Sequence, residues 1–257
     1  MSVRRVVLLG ASNLTMGLPR VVGRLRAGWS EELHVFAAHG HGRSYGAWSR
    51  VLVRSLPGIV NCDLWPDLER SAAADAPVSA LVTDVGNDLI YGSSPENIAG
   101  WVEQCLEKLA DRRAEIVLTL LPMESVRRLS AWRYHLTRMI FFPGGGPAWA
   151  DMQGQAAELN ERLRQVGAAV GAHVVEPPGE WYGFDPIHVR HSLRNEAWGR
   201  ILSGWPSFDA GRTGAGVSLT ESLRLLAGRP AERRLFGRHQ RAAQPSQRVG
   251  NVAVAIY

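Results

Sequence analysis

Ser12, Asp185 and His188 are the residues whose types and spacing suit chemistry on a carbonyl. A serine hydroxyl is a weak nucleophile until an imidazole takes its proton, and the imidazole works best when a carboxylate orients it and stabilises its cationic form. Ser12 lies in the string Gly10-Ala11-Ser12-Asn13, and the other two in Asp185-Pro186-Ile187-His188. Read without its surroundings, each string has a plainer meaning. Ser12 suits the N-cap of a helix, and Asp185 suits a loop cap beside a solvated histidine.

The elements around the strings favour the chemical meaning. Val6-Val7-Leu8-Leu9 is a short apolar run of the kind found in buried parallel strands. Leu14 to Pro19 and then Val21, Val22, Leu25 and Trp29 continue as a helix, so Ser12 falls at a strand-to-helix corner. Such a corner lies at the carboxyl edge of the sheet, where open α/β folds place their ligands. At the other end, Ala172 to Glu176 reads as the last strand, and Pro177, Pro178 and Gly179 open the loop that carries Asp185 and His188. His191 lies one helical turn beyond His188 and competes for the base role, but the Asp185 spacing favours His188.

Two further strings occur between these. Gly42-Arg43-Ser44 follows an apolar run from His34 to Ala38, and Gly86-Asn87-Asp88 follows another from Ser79 to Thr83. The four strings, in this order, resemble the SGNH family of serine hydrolases, also called GDSL-type esterases and lipases. The resemblance covers roughly residues 3–206. It implies a three-layer α/β/α sandwich of flavodoxin-like type, with a five-stranded parallel sheet in the order 2-1-3-4-5. It implies Ser12 as nucleophile, His188 as base and Asp185 as its partner. It also implies an oxyanion hole from the Ser12 N–H, a glycine N–H and the Asn87 side-chain amide. Gly42 fits the glycine best, with Gly40 and Gly46 as neighbours that also qualify. The chain departs from the family at Ala11, where Asp is common, and at Val85, where a small residue is frequent.

Composition bounds what else the chain does. It has 257 residues, 46% of them hydrophobic, enough for one sizeable core. No run approaches the roughly eighteen apolar residues of a membrane helix. An apolar strand beginning at Val3 leaves no room for a leader, which predicts a cytoplasmic protein. Cys62 and Cys105, each expected in a helix, show no pairing pattern and read as reduced, packed thiols. The net charge is +5, with Lys108 the sole lysine. Arginines concentrate late, at 229, 233, 234, 238 and 241, but without a recognition motif or aromatic platform, so no nucleic-acid partner is expected. His39-x-His41 and His188-x-x-His191 lack a third ligand at fixed spacing, and no metal is expected. There is no Gly-x-Ser-x-Gly elbow.

Strands are predicted at 4–9, 33–38, 78–84, 115–121 and 172–176. Helices are predicted at about 14–27, 46–55, 63–74, 95–112, 149–169 and 193–204. Residues 1–206 read as the hydrolase domain. Residues 207–257 read as an extension too small to stand alone: a glycine-rich link, a helix opened by the capping box Ser218-Leu219-Thr220-Glu221, and a terminal hairpin turning at Gly250-Asn251. Between Pro122 and Ala150, Leu129, Trp132, Leu136, Met139 and Ile140 recur at helical spacing before Phe141-Phe142-Pro143. This segment is either a helix packed on the core or an acyl-pocket wall with Trp132, Met139, Phe141 and Phe142 facing substrate.

The resulting expectation is an esterase acting on a small acyl ester or thioester through an acyl-enzyme on Ser12, without metal or organic cofactor. A non-catalytic module of the same fold, or an acyltransferase using the same site, are the alternatives.

Overall fold

A computed structural model describes residues 2–73, 75–128, 130–131, 148–212 and 216–257. Its centre is a seven-stranded sheet. Among the described residues the strands, in chain order, are β1 (Val3–Leu9), β2 (Glu32–Ala38), β3 (Ser49–Val51), β4 (Arg54–Leu56), β5 (Val78–Val82), β6 (Glu115–Thr119), β7 (His173–Val175), β8 (Glu232–Leu235), β9 (Arg238–Arg241), β10 (Gln247–Val249) and β11 (Val252–Ile256). The central order is β10-β11-β2-β1-β5-β6-β7, parallel throughout except for β10. Its five strands β2-β1-β5-β6-β7 have the 2-1-3-4-5 order that the resemblance implies.

Both faces of the sheet are covered. Val7 and Leu9 of β1 join a core with helices 64–70, 95–110 and 149–169, whereas Val6 and Leu8 join a core with helices 12–28 and 194–202. All four side chains are fully buried, as period-2 alternation in a doubly covered strand requires. The helix α1 (Ser12–Gly28) lies close on helix 194–202, because a Cβ on Gly17 would stand 2.2 Å from the Trp198 indole nitrogen.

Three expectations need correction. The sheet has seven strands rather than five, because the run Val252–Ile256 pairs in parallel with β2 and brings β10 with it. Residues 46–55 hold no helix. Ser49–Val51 and Arg54–Leu56 form an antiparallel hairpin that β8 and β9 extend into a four-stranded sheet, β3-β4-β8-β9. Cys62 follows a single 3-10 turn rather than sitting in a helix, although both thiols are buried and free. The 218–221 capping box and the 247–256 hairpin are present. Among the described residues no helix is long and apolar enough to cross a membrane.

Candidate active site

β1 ends at Leu9, and α1 begins two residues after Gly10. Ala11, not Ser12, takes the N-cap position, and no side chain of its own caps the helix. Ser12 therefore stands in the first turn, 6% exposed, with its hydroxyl directed away from a capping role. His188 Nε2 lies 2.8 Å from Ser12 Oγ, and His188 Nδ1 lies 2.6 Å from Asp185 Oδ2. With Asp185 accepting from Nδ1–H, Nε2 carries the lone pair that faces the serine hydroxyl.

The loop that delivers the histidine is shaped by Asp185 itself. Its Oδ1 accepts from the N–H groups of Ile187 at 2.9 Å and His188 at 3.2 Å. Burial pushes the Asp185 carboxyl up, but the hydrogen bond and charge of His188 and these two amides outweigh it, so Asp185 sits below the usual carboxylate range.

Two residues without a role in the motif reading join the halves of this arrangement. Asn13 donates from Nδ2 to the Ile187 carbonyl at 3.0 Å and accepts at Oδ1 from Val189 N–H at 2.9 Å. It thus grips the chain on both sides of His188. Asp84 accepts from Asn13 Nδ2 at 2.9 Å, and from the N–H groups of Ala11 at 2.9 Å and Leu14 at 3.1 Å. A carboxylate there satisfies orphan donors at the N-terminus of α1 and opposes its positive end. Asp84 has φ 59°, a left-handed conformation that Asp tolerates better than most residues. At sequence level, Asn13 was visible only as the residue after the serine, and Asp84 as a short acid where β5 runs out.

The expected oxyanion residues lie on two segments stitched together. Asn87 opens the short helix 87–90, is 6% exposed, and its Nδ2 lies 3.5 Å from the Arg43 carbonyl. Gly42 has φ 60°, and its carbonyl accepts from Tyr91 Oη at 2.5 Å. Tyr45 N–H donates to Asp88 Oδ2 at 2.8 Å, and Tyr45 Oη donates to the Thr83 carbonyl at 2.7 Å. Burial pushes the Asp88 carboxyl up to about 6, against hydrogen bonds from Ser44 and Tyr45 that lower it. Arg43 is fully buried and donates to the carbonyls of Pro57, His39 and Tyr257, so the end of β11 reaches the base of the Gly42 loop. Gly40 packs against Leu56 and Gly46 against Trp101, which gives both a packing role.

His39 and His191 each have a local partner. Thr15 Oγ1 donates to the Ala11 carbonyl at 2.6 Å, so it accepts from His39 Nδ1 at 3.1 Å. Burial, with Arg43, Arg54 and His41 nearby, pulls the His39 pKa down to about 3. His191 lies 3.2 Å from an Arg20 Nη and takes no part in the Ser12 relay. Among the described residues no group of three or more His, Cys, Asp or Glu could hold a metal ion.

Beside Ser12 and Asn87 is a cavity of about 130 Å³, walled mainly by apolar groups including Leu121, Met152, Trp181 and Trp198. Of the expected acyl-pocket residues, Trp132, Met139, Phe141 and Phe142 lie outside the described residues.

No family model and no curated protein matches the chain. Among solved structures it is similar to the psychrotrophic esterase EstA from Pseudoalteromonas sp., at 12% identity and TM-score 0.47, over 78% of this chain and 97% of that one. A GDSL-like lipase from Bacteroides thetaiotaomicron gives 12% identity and TM-score 0.46, over 77% and 85%. The acetyl xylan esterase AlAXEase gives 11% and 0.48, over 77% and 98%.

Proposed function

We propose that this chain is an SGNH-type serine hydrolase that cleaves small carboxyl esters or thioesters through an acyl-enzyme on Ser12. The observation that carries the reading is the continuous relay Asp185–His188–Ser12, at 2.6 and 2.8 Å, between residues 176 apart in sequence. A chance contact between a buried serine and a histidine does not also supply a correctly placed carboxylate and a loop fixed on both sides by Asn13.

In the proposed reaction Ser12 Oγ attacks the acyl carbonyl while His188 Nε2 takes its proton. Asp185 holds the imidazole and stabilises its cation. The tetrahedral oxyanion is met by the Ser12 N–H at the start of α1, the Gly42 N–H and the Asn87 amide. His188 returns its proton to the leaving oxygen or sulfur, and the acyl group stays on Ser12. Water, deprotonated by His188, then repeats the sequence and releases the acid. No metal or organic cofactor enters these steps.

The cavity sets the acyl size. About 130 Å³ is close to the roughly 150 Å³ apolar cavity that takes up benzene. Short acyl chains should fill it, with each buried methylene worth about 0.8 kcal/mol until it is full. The test is a panel of p-nitrophenyl esters of rising acyl length against the wild type and Ser12→Ala. The expected result is a kcat/KM maximum at short chains and no turnover by Ser12→Ala. A Ser12→Ala protein that keeps the wild-type rate would overturn the proposal.

A further inference from the structure

The four-stranded sheet β3-β4-β8-β9 has no part in the proposed chemistry, yet its two hairpin turns are built at a cost. Leu52 stands at the β3–β4 turn with φ 54°, and Phe236 at the β8–β9 turn with φ 50°. Left-handed turn positions belong to Gly, Asn and Asp, because a branched or bulky side chain is strained there. Here they carry large apolar side chains that are 86% and 74% exposed. Phe236 N–H donates to the Val53 carbonyl at 2.8 Å, so the two turns lie side by side. Val53, 40% exposed, adds to the same apolar end.

Cations surround this end. The strands 49–56 and 232–241 with their turns contain six arginines and one carboxylate, Glu232. Glu232 pairs with His239, and Arg241 with Asp63, at the end of the sheet away from the turns. At the turn end, Arg50 Nε donates to the Leu52 carbonyl and Arg238 faces Leu235 in register, whereas the Arg234 guanidinium lies 4.5 Å from the ring centroid of Trp48, which precedes β3. Arg54 stands beside Gly40, on the loop that leads to Gly42.

We propose that this end of the small sheet docks on an anionic lipid bilayer, with Leu52, Val53 and Phe236 entering the headgroup–acyl boundary and Arg50 and Arg238 meeting lipid phosphates. The two features need the same partner. Protruding apolar tips gain from an interface that dissolves them, and the arginines gain from its negative surface potential. A nucleic acid would satisfy the arginines, but aliphatic Leu52 and Val53 offer its bases no stacking surface. Docking here would hold the Gly42 loop near the bilayer surface. The binding itself does not depend on the hydrolase reading, and Ser12→Ala protein should bind equally.

The experiment is co-sedimentation of the full chain with vesicles of phosphatidylcholine alone or mixed with phosphatidylglycerol, at low and high salt. Binding is expected only to the mixed vesicles and should weaken with salt. Leu52→Asn/Phe236→Asn, chosen because Asn accepts the left-handed turn, should lower partitioning about 10-fold or more. Arg50→Gln/Arg238→Gln should lower it by a similar factor, since each arginine near such a surface is worth about 5-fold. Both double variants should keep wild-type circular dichroism and wild-type turnover of a water-soluble ester. Equal binding to pure phosphatidylcholine, or unchanged binding by both double variants, overturns the proposal. So does a protein that ignores vesicles but retards an oligonucleotide in a gel, or one whose dimer is broken by Leu52→Asn/Phe236→Asn with no vesicle binding.

Discussion

Replacing Asp84 by asparagine keeps the shape and the tolerance for positive φ, and changes only charge and donor pattern. In the wild type one carboxylate oxygen accepts from the Ala11 and Leu14 amides and the other from Asn13 Nδ2. Asparagine has one acceptor oxygen. If it serves the two amides, its NH₂ confronts the NH₂ of Asn13. Turning the Asn13 amide over relieves that conflict but reverses both of its bonds to the 187–189 backbone. The stability cost is one charge-assisted hydrogen bond, about 1.5–3 kcal/mol, plus a charge at a helix N-terminus, about 0.3–1 kcal/mol. At about 2–4 °C per kcal/mol for a chain of this size, the melting temperature should fall by roughly 5–15 °C. The catalytic cost comes through His188, because a shift of about 1 Å in a reacting group can cost on the order of 10²-fold. Steady-state kinetics on p-nitrophenyl acetate should therefore show kcat down about 10- to 100-fold with KM little changed. Asn13→Ala should act on the same connection, so the double variant should be less impaired than the product of the singles. An Asp84→Asn enzyme with wild-type kcat and melting temperature, or strictly multiplicative penalties in the cycle, would refute this reasoning.

Asn87→Ala should lower kcat about 10²-fold or more while KM moves little, because the amide is assigned to the developing oxyanion. Steady-state kinetics that leave kcat intact would reduce Asn87 to a turn residue. Asp88 yields a pH prediction. Its carboxyl is raised from 3.8 to about 6 in the folded protein, so its contribution to stability is full below the lower value and is lost as pH rises through the upper one. Asp88→Asn keeps an acceptor for Tyr45 N–H and removes the titration. Denaturant unfolding at about pH 4 and about pH 7 should show it gaining stability relative to wild type at the higher pH, on the order of 3 kcal/mol. The same pH dependence in both proteins would contradict the assignment.

The parallel sheet was legible because its signal is local. Val6 to Leu9 and Ser79 to Val82 are short apolar runs, and glycine-containing corners follow them. Ser12, Asp185 and His188 were legible from position, one at the first strand's exit and two after the last. What sequence missed depends on distant partners. Residues 49–56 become a hairpin because β8 arrives to pair with β4, with Arg54 opposite Leu235 far along the chain. The strand Val252–Ile256 could be read as a strand, but its place beside β2 could not. Asp84 escaped notice because its work is done by geometry. A left-handed residue just past β5 turns a carboxylate toward the Ala11 amide.

The central claim is that Ser12 is the nucleophile activated by His188. Labelling the purified protein with a fluorophosphonate and mapping the adduct by peptide mass spectrometry tests it most directly. One adduct is expected, on the peptide containing Ser12, absent in Ser12→Ala and formed far more slowly in His188→Ala. Stoichiometric labelling at another residue, or an undiminished rate in His188→Ala, would contradict it.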